Sequence, residues 1–215
     1  MVENSAVIGS QQPFDPSRIV VLSGLESVRQ RPALYVGATE TEGTHKLLQF
    51  TIDGILAHYR ALEWPVERIV VWLEDDSSMT VTANGPVVED AALDKGSNLL
   101  ERELQVLGVG FPLGLFVTNA LSSRLVAMTR LPHQRRRRLT FERGVLCRDQ
   151  VNAAGTDTDD FIVTFWPDTT ILEPGTFNSD LVQQEVISFN DANPTVTIDI
   201  VDGRHARDKT LFTRA

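Results

Sequence analysis

Few residues of this 215-residue chain combine type and spacing in a way that could do chemistry. His45 and His58 are the evident acid–base candidates, because an unperturbed imidazole titrates near neutral pH. Neither has a carboxylate partner or metal-ligand spacing around it in the sequence, so both read as surface or internally satisfied histidines. Cys147 is the one cysteine. It rules out an intramolecular disulfide framework, suits a reducing cytoplasm and, with no activating base evident in the sequence, reads as an inert structural thiol. Arg135 to Arg138 place four cations in a row, an arrangement that could bind anions. On a strand, alternation would send those side chains to opposite faces, and the run reads as a solvated hairpin edge rather than a nucleic-acid site.

The elements that must position these residues are legible from their periods. Residues 19–37 read as a short apolar run, a helix-like stretch ended by Pro32, and an apolar piece closing at Gly37. Leu47, Leu48, Phe50, Ile52, Ile55, Leu56 and Tyr59 recur at helical spacing and predict the longest helix, with Pro65 beyond its end. Residues 68–84 read as a β-hairpin turning at Asp75 to Ser78. The polar stretch from Gly85 to Leu107 is compatible with a helix, and after a Gly/Pro loop residues 113–121 predict a second buried helix. Strand signals follow at 124–131, 137–144, 145–151, 161–167 and 195–201, with a helix expected over Ser179 to Phe189. Trp64, Trp72 and Trp166 read as aromatic residues of the core or its rim. Early helices, late paired strands and few parallel crossovers predict an α+β fold. It is a two-layer sandwich in which a mixed, mostly antiparallel sheet carries helices on one face.

Composition sets the outer bounds. Hydrophobic residues make up 42% and charged residues 23%, ordinary globular values, and no apolar run approaches the roughly 18 residues of a membrane span. The expectation is a soluble, cytoplasmic protein with no membrane partner. A formal charge of -9 opposes non-specific attraction to phosphate backbones, so nucleic acid is not an expected partner. Residues 1–17 lack the pattern of a secretory signal and read as a flexible arm, leaving 18–215 as a single domain.

Several stretches, taken in order, resemble the ATPase domain of bacterial gyrase B and related type II topoisomerases, of the superfamily that includes Hsp90, MutL and histidine kinases. VLSGLESVRQRPALYVG, residues 21–37, is similar to the family's V-L-E-G-L-E-A-V-R-K-R-P-G-M-Y-I-G, with Gly24, Leu25, Glu26, Val28, Arg29, Arg31, Pro32, Tyr35 and Gly37 coinciding. VTNALSSRL, FERG, FIVTFWPD and the stretch from Leu181 to Arg204 resemble later family segments, so the likeness covers roughly residues 18 to 213. The resemblance implies the gyrase B/Hsp90-like fold, a framework role for Arg29 and Arg31, and no transducer or DNA-cleavage region.

The same resemblance implies a rewritten nucleotide site. The family's helix motif E-x-x-D-N-A supplies a general-base glutamate and a magnesium-holding asparagine. Those positions are Phe50 and Gly54 here, neither of which can accept a proton or offer a side-chain oxygen to a hard cation. Asp53 is the acidic residue retained, read either as a remnant that orders a water or a ligand amide or as a hydrogen-bonded structural carboxylate. The family's D-D-G-R-G-I-P begins at Ala83, keeping only Gly85 cleanly. A methyl in place of the adenine-binding carboxylate forfeits about 1.5 to 3 kcal/mol of base recognition. On an ungapped alignment Phe161 replaces the threonine near the adenine. The shortened lid, residues 107–115, retains Gly108, Gly110 and Gly114 without the family's histidine, and a glycine loop alone is a weak phosphate signal.

The expectation is a stand-alone pseudo-ATPase with no catalytic residues, no metal site and no ATP or magnesium as cofactor, working as a binding or regulatory module. Its partner would be a protein or a small ligand other than ATP. One alternative is a nucleotide-binding switch without hydrolysis; another is a gyrase-interacting inhibitor or protector using the arm. A homodimer rests on analogy with the family.

Overall fold

Ser23 and Glu26 close a capping box: the Ser23 hydroxyl accepts from the Glu26 N–H at 3.2 Å and the Glu26 carboxylate from the Ser23 N–H at 2.8 Å. That start is the first feature of a computed structural model that describes residues 23–84, 90–107, 113–153, 161–173, 177–204 and 210–212. The box begins α1 (Gly24–Gln30), and Pro32 separates it from α2 (Ala33–Val36). The long helix α3 (Thr41–Ala61) buries Leu47, Leu48, Ile52, Ile55 and Tyr59 on its core stripe. It ends where Glu63 takes a left-handed φ of 59° ahead of Pro65. The hairpin β1 (Arg68–Leu73) and β2 (Met79–Asn84) follows, then α4 (Asp90–Gln105), α5 (Leu113–Ala120), β3 (Ser122–Leu131), β4 (Arg135–Glu142), β5 (Val145–Ala153) and β6 (Phe161–Pro167). The described chain closes with α6 (Ser179–Ala192), β7 (Thr197–Asp202) and β8 (Thr210–Phe212).

The strands form one mixed sheet in the order β5-β4-β3-β6-β2-β1-β7-β8. Among the described residues only the β1–β7 pair is parallel, so the α+β sandwich expected from the sequence is the fold found. Ile69, Val71, Val81, Val163, Phe165 and Leu125 are fully buried and share one hydrophobic cluster with α3, α4, α5 and α6 residues. Their alternation with half-buried Val70, Trp72, Thr80 and Thr164 is the period-2 signature of a sheet packed on one side. The predicted elements within the described residues are present; α2, read from the sequence only as an apolar piece, and β8 are the two the sequence did not signal.

Two expectations change. β4 is an interior strand between β3 and β5, so the arginine run is not at a sheet edge. Arg136 is buried, and Arg137 donates to Asp149 at 2.7 Å and to Glu101 on α4. Cys147, read as an inert structural thiol, is exposed on edge strand β5 rather than packed, its Sγ 3.3 Å from the Val145 carbonyl.

Arg29 has the framework role that the resemblance implied. It donates to the Ala120 carbonyl and to Asp168 Oδ2, both at 2.7 Å, tying α1 to the end of α5 and the segment after β6. Burial alone would raise the Asp168 carboxyl, but hydrogen bonds from Thr170 and Arg29 outweigh it and hold the group below its ordinary range. Asp202 is likewise held down, first by Arg204, against burial and with help from Ser179, where it joins the start of α6 to the end of β7.

Helices α3 and α5 meet backbone to backbone. A Cβ built on Gly54 would lie 2.8 Å from the Leu115 backbone nitrogen and 2.7 Å from its Cγ. One built on Gly114 would lie 2.3 Å from the Phe50 carbonyl oxygen. One turn away, the Thr51 and Thr118 hydroxyls are hydrogen-bonded at 3.1 Å, and each also reaches a carbonyl of its own helix.

Two outcomes follow for stability. Carboxyls held down in the fold stabilise it above their unfolded pKa of about 4, and that contribution is lost as pH falls through the lower folded values. Urea unfolding across pH should show stability falling from pH 4 downward. Asp168→Asn should lose about 1.5–3 kcal/mol at pH 7 and flatten that slope. In an ordinary helix interior Gly→Ala stabilises by about 1 kcal/mol. At Gly54 the methyl meets backbone, and overpacking of about 1–3 kcal/mol should win, so Gly54→Ala should lower the thermal midpoint. A raised midpoint would contradict the close contact.

Candidate functional site

The positions that the resemblance assigns to a nucleotide fall on α3, the end of β2 and the start of β6. Phe50 is half-buried and packs against the core. Asp53 is exposed, with enough protein around it that burial pushes its carboxyl up against the pull of Lys46 and Arg60. Neither sequence reading of Asp53 gains a described hydrogen-bond partner. Gly54 and Gly114 form the α3–α5 contact, so a side chain at residue 54 would have to displace Leu115. Gly85, Gly108 and Gly110 lie outside the described residues, as does the arm of residues 1–17.

At the other end of the site, Ala83 is buried on β2 and pairs across the ladder with Phe161 on β6. The Phe161 side chain is buried, its ring centroid 5.1 Å from that of His58 and 6.3 Å from that of Tyr59. Burying such a ring stabilises the fold by about 1.5–3 kcal/mol. Any flat ligand entering the same space would first have to displace it.

His58 is the internally satisfied histidine that its sequence context allowed. It has a carboxylate partner, Glu103 of α4, with His58 Nδ1 and Glu103 Oε2 2.7 Å apart and both side chains 2% exposed. A pair this deeply buried braces α3 against α4, and removing one member would leave the other without a partner. His45 is also buried, its Nε2 accepting from the Asn178 backbone N–H at 3.3 Å, while its Nδ1 is buried with no partner. It is therefore only half satisfied. Burial pushes its pKa down, which keeps the ring neutral.

The site thus brings Phe50, Asp53, Gly54 and Gly114 together along α3 and α5, and Ala83 with Phe161 on adjacent strands. Glu103, Tyr59 and Leu115 complete it and were missed. Glu103 is 45 residues from His58, and no local pattern marks residues that meet across such a separation. Among the described residues no group of three or more His, Cys, Asp or Glu could hold a metal ion. No helix among them is long and apolar enough to cross a membrane.

Comparison with known proteins agrees with this geometry at the level of fold and ancestry. No family model matches the chain. DNA gyrase B of Halalkalibacterium halodurans is 31% identical over an alignment of 222 positions, covering 94% of this chain and 34% of the relative. DNA gyrase B of Haloferax volcanii is 30% identical over 223 positions, covering 93% and 34%. The chain therefore spans about a third of the length of the curated relatives it matches. Among solved structures, the 43K ATPase domain of Thermus thermophilus gyrase B, in complex with an aminocoumarin, superposes with a TM-score of 0.72 at 27% identity, covering 88% of this chain and 51% of that one. In sequence over nearly all of its length, and in fold, the chain resembles the ATPase region of DNA gyrase B.

Proposed function

We propose that this domain keeps a gyrase B-like ATPase fold as a scaffold, does not hydrolyse ATP, and works as a binding or regulatory module. The observation that carries the reading is the contact at Gly54. The resemblance puts a magnesium-holding asparagine there, and the approach of Leu115 leaves no room for any side chain, let alone one extended toward a metal. Magnesium requires oxygen ligands in a near-ideal octahedron, and glycine has no side chain to provide one.

The other positions support the same reading. Phe50 stands where the general base would be, and phenylalanine has no proton acceptor; such a base is worth about a hundredfold to ten-thousandfold in rate. Ala83 offers no acceptor to an adenine amino group, and the buried Phe161 ring occupies space beside His58 and Tyr59. The residues present do not fit a magnesium nucleotide and supply no hydrolytic step. What the module binds is then a protein or a small ligand other than ATP.

Phosphate release from magnesium ATP tests this. Purified protein should release no more phosphate than a heat-denatured blank, and Phe50→Glu should stay at the blank because residue 54 still offers no metal ligand. Magnesium-dependent release that disappears in Asp53→Ala would overturn the reading.

A further inference from the structure

β5 is the last strand of the sheet, and among the described residues only β4 pairs with it. A bulge at Cys147 interrupts that pairing, and beyond it Arg148 to Ala153 run in unbroken register with Thr140 to Arg135. Every residue from Cys147 to Ala153 is exposed, so nothing covers this part of the strand. Its outer edge presents a row of backbone N–H and C=O groups able to pair with another extended chain, and no proline or lysine is there to blunt it.

The two faces of the strand differ in chemistry. Paired residues of an antiparallel ladder share a face. Phe141 and Leu139 of β4 belong to the hydrophobic cluster under the helices, so Leu146, Asp149 and Val151, which pair with Phe141, Leu139 and Arg137, lie on the helix side. Asp149 is already engaged there, its two oxygens accepting from Arg137 at 3.0 and 2.7 Å, while Val151 is 49% exposed. On the helix-free side Arg148 pairs with Thr140 and is a diagonal neighbour of Arg138, a spacing of about 7–8 Å. No hydrogen bond or ion pair joins Arg138 or Arg148 to another described residue. The carboxylate that β4 contributes on this side, Glu142, stands at the far end of the strand, opposite Arg124.

We propose that β5 docks an extended acidic segment of a partner protein as an added strand, in which carboxylates alternate with apolar residues. The segment's backbone pairs with the outer edge of Arg148 to Ala153, its carboxylates lie over Arg148 and Arg138, and its apolar side chains lie beside Val151. Guanidinium groups suit carboxylates because they can grip both oxygens at once. A nucleic acid has no row of N–H donors to meet the strand's carbonyls, and the rest of a chain with a formal charge of -9 repels a polyanion. A second copy pairing through its own β5 would keep the arginines of both copies on one face, where like charges repel. The inference gives the binding module a docking edge, but it stands on β5 and holds whatever the nucleotide positions bind.

The probe is a capped hexapeptide alternating glutamate and valine, titrated into isotope-labelled protein while backbone amides are followed by NMR. Its lysine–valine counterpart, the glutamate peptide N-methylated at every amide, and oligothymidylate are titrated in parallel. The glutamate peptide should give saturable shifts and slowed amide exchange within residues 148–153, and bind about tenfold more tightly than any of the three controls. Arg148→Glu should weaken it about tenfold, because a repulsion of similar size replaces the attraction. Arg148 is exposed and has no internal partner, so the thermal midpoint of that variant should stay at the wild-type value, which separates lost binding from lost folding. Absence of saturable shifts within residues 148–153 of the folded wild type at millimolar peptide, equal or tighter binding of any control, or undiminished binding in Arg148→Glu would overturn the proposal.

Discussion

Helix α3 lies against α5 at a distance only glycine permits, and much of the domain's architecture depends on that approach. With Gly114 against the Phe50 carbonyl and Gly54 against the Leu115 nitrogen, the two helices share a seam of backbone closed by the Thr51–Thr118 hydroxyl pair. From α5 the connection spreads outward. The Asn119 amide donates to the Leu104 carbonyl and to the Gly144 carbonyl, tying α5 to α4 and to the turn between β4 and β5. Arg29 holds the Ala120 carbonyl and Asp168 together from the other side. A side chain at either glycine would push α5 outward and strain these bonds in turn, because packed interiors have little free volume with which to absorb an added atom.

The same seam bears on chemistry. An asparagine reaching a metal needs open space beside its helix, and here that space is filled by the backbone of the neighbouring helix. α3 presents one stripe to the core, one to α5 and one to a groove against α6, so a single helix both carries the interior and bears the positions the resemblance assigns to a nucleotide.

Much of this was legible in the sequence, for reasons that differ by element. The α3 stripe from Leu47 to Tyr59 is long and strongly periodic, and the β1–β2 hairpin is two alternating runs around a polar turn, so local signals sufficed. The absence of chemical groups at Phe50, Gly54 and Ala83 was visible because it is a matter of residue type. Geometry was not. That Gly54 is closed off by Leu115, that His58 has Glu103 as its partner, and that the arginine run sits on an interior strand are facts of packing between distant segments, for which one sequence carries no periodic signal. Cys147 shows the same limit: strand propensity placed it on β5, but only the strand order makes that strand an edge.

Titrating ATP, ADP and a non-hydrolysable ATP analogue with and without magnesium, and following the heat of binding, tests most directly the proposal that the nucleotide positions are closed as well as stripped of catalytic groups. On this proposal no saturable heat is expected at millimolar nucleotide, because the Phe161 ring is buried at the end of β6 and a Cβ at residue 54 would meet Leu115. Saturable binding in the micromolar range, with or without magnesium, would contradict the claim and make the domain a nucleotide sensor.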